Sequence, residues 1–106
     1  MRQRFAEEDV RNVPDEPSIF FLYHESDLVY IGRTPPRSGL RTELEHALRM
    51  AMAEDMDVTH FTFELTKSPK TRAAEELREY FENWGRLPQY NRAQGVAFQQ
   101  RVELRR

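Results

Sequence analysis

Cysteine is absent from the 106 residues, which excludes disulfide frameworks, zinc ribbons, iron–sulfur ligation and thiol nucleophiles together. Stability must come from packing. Lysine is nearly absent as well: Lys67 and Lys70 are the only two, and every other basic side chain is arginine. No apolar run approaches the roughly 20 residues of a membrane-spanning helix, and mean hydropathy is −0.81. The opening MRQRFAEEDV carries two arginines with no apolar stretch behind them, unlike a secretory signal. The expectation is a cytoplasmic protein with no membrane contact. Charge of one sign is also lacking, since a net charge of −2 argues against a strong, generic DNA binder. What is present, 39% hydrophobic and 11% aromatic residues, suffices for the core of one small domain.

Residues 1–17 are polar and acidic, bracketed at their end by Pro14 and Pro17, and read as a lead-in with one helical turn near Phe5 to Val10. The texture changes at Ser18. IFFLY is a continuous apolar run and reads as a buried strand, and LVYIG, which follows the connection His24 to Asp27, completes an antiparallel hairpin. After TPPRSG, Ser38 serves as N-cap for a helix whose Leu40, Leu44, Ala47, Leu48, Ala51 and Met52 share one face. Asp55 and Asp57 close it. In VTHFTFELT, Phe61, Phe63 and Leu65 alternate with His60, Thr62, Glu64 and Thr66, the pattern of a strand buried mainly on one side. Ser68 and Pro69 then start a second helix, 69–84, with Ala73, Ala74, Leu77, Tyr80, Phe81 and Trp84 as its apolar stripe and Gly85 as its stop. RLPQYN reads as a turn in which Asn91 is available to bond backbone groups. Residues 92–106 form an arginine-rich extension, strand or helix.

The fold class expected is therefore α/β (α+β), with a three-stranded, mainly antiparallel sheet flanked by helices in the order β-β-α-β-α plus a tail. Residues 18–91 of this arrangement resemble the GIY-YIG nuclease domain. The second motif is intact at Tyr30-Ile31-Gly32 and continues into Arg33-Thr34, LTKSPKTRAAEE is similar to the family's passage from strand to glutamate, and Pro88-Gln89-Tyr90-Asn91 is similar to its closing turn. The first motif departs: Ser18-Ile19-Phe20 stands where the family has Gly-Ile-Tyr, so a phenyl ring with no proton to carry replaces a phenol. Tyr23 takes over only if a bulge changes the strand's phase.

The resemblance implies site residues one by one. Tyr30 sits beside the scissile phosphate, Glu76 holds the divalent ion, with Glu75 and Glu79 as alternatives, and Asn91 orients the site. Gly32 lets backbone approach closely. The helix arginine is Arg41 when counted from Gly32, although the phase of Leu40 and Leu44 puts Glu43 at that position. His46 lies near the family's histidine but five residues from Arg41, and Arg33 and Arg37 add cations at the mouth. Tyr80, Phe81 and Trp84 read first as core, with base stacking by Trp84 as the alternative.

Phosphodiester hydrolysis needs a base for water, a cation for the developing charge and a hard ion on a carboxylate, so the implied cofactor is Mg²⁺ or Mn²⁺. The resemblance thus implies a metal-dependent DNA endonuclease, a hydrolase. Its competitor is a catalytically degenerate module that binds nucleic acid or a protein through the same groove. The implied partners are DNA or RNA, or a larger complex that supplies specificity. Arg33, Arg37 and Arg41 follow the second strand, Lys67, Lys70 and Arg72 lie at the start of the second helix, and Arg101, Arg105 and Arg106 end the chain, an arrangement that allows a local basic rim on a near-neutral chain.

Overall fold

The computed structural model describes residues 2–92; the expected extension, apart from Arg92, lies outside them. Strand β1 (Gln3–Arg4), helix α1 (Glu7–Arg11), strands β2 (Ser18–His24) and β3 (Asp27–Arg33), helix α2 (Leu40–Ala53), strand β4 (His60–Leu65) and helices α3 (Pro69–Trp84) and α4 (Gln89–Arg92) follow in order. All strand pairs are antiparallel, in the order β1-β4-β2-β3. The sheet has four strands where the sequence predicts three. The extra strand comes from the lead-in, whose Gln3 and Arg4 pair with Phe61 and His60, a strand too short to leave a hydrophobic pattern.

Two faces follow from the register. Phe20 lies between Gly32 and Phe63, and Leu22 between Tyr30 and Phe61, so these six share one face. Helices α1 and α2 cover it, and Phe5, Val10, Leu40, Leu44, Ala47 and Ala51 complete the main core. Each large side chain fully buried here is worth about 1.5–3 kcal/mol of transfer free energy. Ile19 and Ile31 point to the opposite face, are buried, and meet α3, whose buried residue is Ala73.

The lead-in is woven into this structure. Arg41 Nε donates to the Val13 carbonyl at 3.1 Å. The Asp15 carboxylate accepts from the Thr42 amide and hydroxyl, both at 3.0 Å. It thereby caps the first turn of α2, the task the sequence assigns to Ser38; the N-cap position is Gly39, and the Ser38 hydroxyl donates to Glu43 Oε2 instead. The hairpin connection is tighter than expected, with His24 paired to Asp27 across Glu25 and Ser26 and Glu25 at φ 56°. Helix α3 matches its expected bounds, with Pro69 in its first turn and Gly85 at φ 72° ending it. The expected turn RLPQYN instead holds a short helix at Gln89–Arg92.

Three apolar stripes stop short of their expected extent. Met52, Leu65 and the pair Phe81 and Trp84 are all exposed. Each lies in the last turn or last residue of its element, and Ala74, in the first half of α3, is exposed as well.

Candidate functional site

Tyr30 is buried on the α2 face of the sheet, 6.2 Å from Phe20 between ring centroids. Burial pushes its phenol well above the ordinary value of 10, the nearby Arg33 charge pulls it down, and Glu43 raises it further. Burial thus disfavours the phenolate, and Tyr30 stays a neutral phenol that can donate a hydrogen bond. Gly32 has a packing reason to be small: a Cβ there would overlap the Phe20 ring and come within 2.7 Å of Tyr30 Cε2. Phe20 fills the space above it.

The helix residue that shares Tyr30's surroundings is Glu43, which is buried. Arg41 faces the lead-in, bonded to Val13 and beside Asp15. Of the two positions that the sequence offers for the helix residue, the phase of Leu40 and Leu44 gives the one beside Tyr30, Glu43, and counting from Gly32 gives the one beside the lead-in, Arg41. His46 is half-buried, one turn beyond Glu43 on α2. Pairing between β2 and β3 does shift register at Leu22 and Tyr23. Tyr23 nonetheless stays on the α3 face, its hydroxyl 3.4 Å from Thr62 Oγ1.

Glu76 is on that α3 face too. Arg72 donates to Glu64 through Nε (2.7 Å) and Nη2 (2.8 Å), to Glu75 through Nη1 (2.6 Å) and to Glu76 through Nη2 (2.8 Å). Glu64 pairs with Ile19, so the cluster lies across the sheet from Tyr30. Its hydrogen bond with Arg72 holds the Glu64 carboxyl below its ordinary value, and the three carboxylates raise the guanidinium's pKa. A fixed organic cation occupies the position between the carboxylates that a divalent ion would need. Arg72 bonds to all three of these carboxylates, and among the described residues no group of three or more acidic or histidine side chains is arranged to hold a metal. Asn91 serves the backbone, accepting from the Ile31 amide at 2.8 Å and donating to the Ile31 carbonyl at 3.0 Å. The sequence-derived site is thus divided between two faces and an edge.

What the fold does assemble is a cationic cleft of about 310 Å³ where the end of β3 meets the start of α3. Arg33, Arg37, Lys67 and Lys70 line it, between Pro17, Pro35, Pro36 and Pro69, and no acidic side chain contributes to the wall. Prolines fix φ and stiffen both rims. Thr34 donates its amide to the Ser18 carbonyl, and Thr66 donates to the Pro17 carbonyl, which ties the two rims to the base of the sheet. Arg37 is held at φ 68°, a left-handed conformation that costs a non-glycine residue about 1 kcal/mol or more. The first turn of α3 carries no acid, and none of the four cations joins an ion pair among the described residues. The sequence allows these four cations a place in a basic rim together with others; that Arg33, Arg37, Lys67 and Lys70 line one cleft, without Arg41 or Arg72, is a product of the fold. Among the described residues no helix is long and apolar enough to cross a membrane. No family model matches this chain, and no curated protein or solved structure matches it.

Proposed function

We propose that this chain is a nucleic-acid-binding module of GIY-YIG-like architecture that grips phosphates without cutting them. The observation that carries the reading is the cleft that Arg33, Arg37, Lys67 and Lys70 line together with no acidic lining residue. Four cations around a stiff concave site favour a polyanion, and arginine forks add bidentate pairing to the lysine point charges. The likeness to the nuclease family is supported by the intact Tyr30-Ile31-Gly32 strand in an antiparallel hairpin followed by helix, strand and helix. Loss of catalysis is supported by three features: Phe20 replaces the first tyrosine, Glu43 stands beside Tyr30 where an arginine is wanted, and Glu76 is bound by Arg72 across the sheet.

Fluorescence anisotropy with a labelled duplex oligonucleotide across a salt series tests the reading. Two to four phosphate contacts predict a log–log salt slope of about −2 to −4, and the double variant Lys67→Glu/Lys70→Glu should weaken binding and flatten that slope. Binding that ignores salt, or is unaffected by the double variant, overturns the cleft assignment. Supercoiled plasmid with Mg²⁺ or Mn²⁺ should remain unnicked. Nicking that disappears in Glu76→Gln would replace the binding module with a hydrolase.

A further inference from the structure

A second groove, of about 560 Å³, opens at the other end of α3. One wall is aromatic. Tyr80 and Trp84 stand one helical turn apart with ring centroids separated by 6.1 Å, and Trp84 is 60% exposed. The facing wall carries Tyr23, with the Arg2 guanidinium 3.9 Å above its ring. Arg86 and Arg92 complete the rim, against Asp27 as the acidic residue of the lining. An indole left this exposed is a cost in water unless something covers it. The arginines around it identify the chemistry of the cover: flat, π-rich and carried on a negative backbone.

We propose that this groove is a base-stacking subsite for single-stranded nucleic acid, in which a base lies on Trp84 and Tyr80 while its flanking phosphates meet Arg86, Arg92 and Arg2. The assignment rests on the phosphate-binding reading above and adds the substrate class to it. A duplex keeps its base faces stacked internally, so a site built on exposed aromatic rings discriminates for single strands, whereas the cationic cleft accepts either form. The two sites lie at opposite ends of α3, whose 16 residues span about 24 Å. That length corresponds to several nucleotides of extended strand, within the site sizes of about 4–16 nucleotides typical of sequence-tolerant binders.

Trp84 is the only tryptophan, so its emission reports on the groove directly. Titration with an oligothymidylate of ~12 nucleotides should quench it, and a hairpin duplex of the same total charge should bind with little change in emission. Trp84→Ala should weaken the single strand roughly 5- to 150-fold, the range of one lost stacking contact, and leave duplex affinity unchanged. Trp84→Phe should recover most of that loss. Both substitutions are at an exposed position, and circular dichroism checks that the fold survives. Salt-dependent oligonucleotide binding with no quenching and no effect of Trp84→Ala overturns the subsite while the phosphate reading stands. Failure of every nucleic acid to bind overturns both. A blue shift of Trp84 emission that grows with protein concentration alone would assign the groove to a second copy of the chain instead.

Discussion

The side-chain amide of Asn91 pairs with both backbone groups of Ile31, 60 residues away, with its oxygen 2.8 Å from the Ile31 nitrogen and its nitrogen 3.0 Å from the Ile31 oxygen. Because β3 is an edge of the sheet, these bonds do for one residue what a further strand would do, and they occupy donor and acceptor groups that would otherwise invite pairing with another chain. Asn91→Ala should cost about 1–2 kcal/mol. Hydrogen exchange should report the loss first at the Ile31 amide. Asn91→Asp keeps the acceptor but turns a carboxylate toward the Ile31 carbonyl, so it should be no better than alanine at neutral pH and improve as the carboxyl protonates. Unchanged exchange at Ile31 in Asn91→Ala would show that the amide does not protect the edge.

Gly32 makes room for Phe20 and Tyr30, since a Cβ at this position would overlap the Phe20 ring. Gly32→Ala should therefore destabilise by about 1–3 kcal/mol through overpacking. The penalty should shrink when Phe20→Leu is added, and a double-mutant cycle in urea measures that coupling. Additive costs would mean that the alanine is resisted by something other than the ring.

Asp15 caps α2 from the lead-in, and its carboxyl is held below the ordinary 3.8, chiefly by the hydrogen bond from the Thr42 amide. A depressed carboxyl contributes stability that is fully present above its unfolded value and lost as pH falls through the lower folded one. Asp15→Ala should thus cost about 0.5–1 kcal/mol near neutral pH, the range for an exposed helix cap, and almost nothing well below pH 3.8. Thermal melts of both proteins from pH 2 to 7 compare the two regimes. A cost that persists undiminished in acid would rule out the carboxylate as its source.

The elements with local signals were legible in the sequence. Pro69 and Gly85 bound α3 because each fixes backbone by its own covalent structure, and the apolar run 19–23 could only be a strand or a core helix too short to stand. What escaped was set by partners distant in sequence. Gln3 and Arg4 form a strand because β4 offers a free edge, and α2 is capped by Asp15 because α1 turns the chain back across it. Trp84 continues a helical stripe whose spacing carries no information about where the sheet beneath it ends. The same holds for the candidate site: Arg33 and Arg37 were visible as cations after a strand, yet nothing in their spacing tells that Lys67 and Lys70, 30 or more residues on, line the same cleft.

Arg72 gathers Glu64 from the sheet with Glu75 and Glu76 from α3, and this arrangement fixes the sign of a pH effect. In the native chain the Glu64 carboxyl is held below its ordinary 4.5, first by its hydrogen bond with Arg72, so that contribution to stability is lost as pH falls through and below 4.5. Replacing Arg72 by methionine keeps an apolar stem of similar reach and leaves carboxylates drawn together with no cation between them. Their mutual repulsion favours the protonated forms and raises their pKa values. The variant should be less stable than the native chain at pH 7 and should gain stability on acidification from pH 7 toward 4.5, where the native chain does not. Added salt should narrow the gap by screening the repulsion, and Arg72→Lys should fall between the two because one ammonium cannot satisfy three carboxylates in fixed directions. Denaturant titrations at several pH values resolve these slopes. A native chain and an Arg72→Met variant with parallel pH profiles would mean that the carboxylates do not converge on Arg72 in solution, and Glu76 would then be available for other ligands.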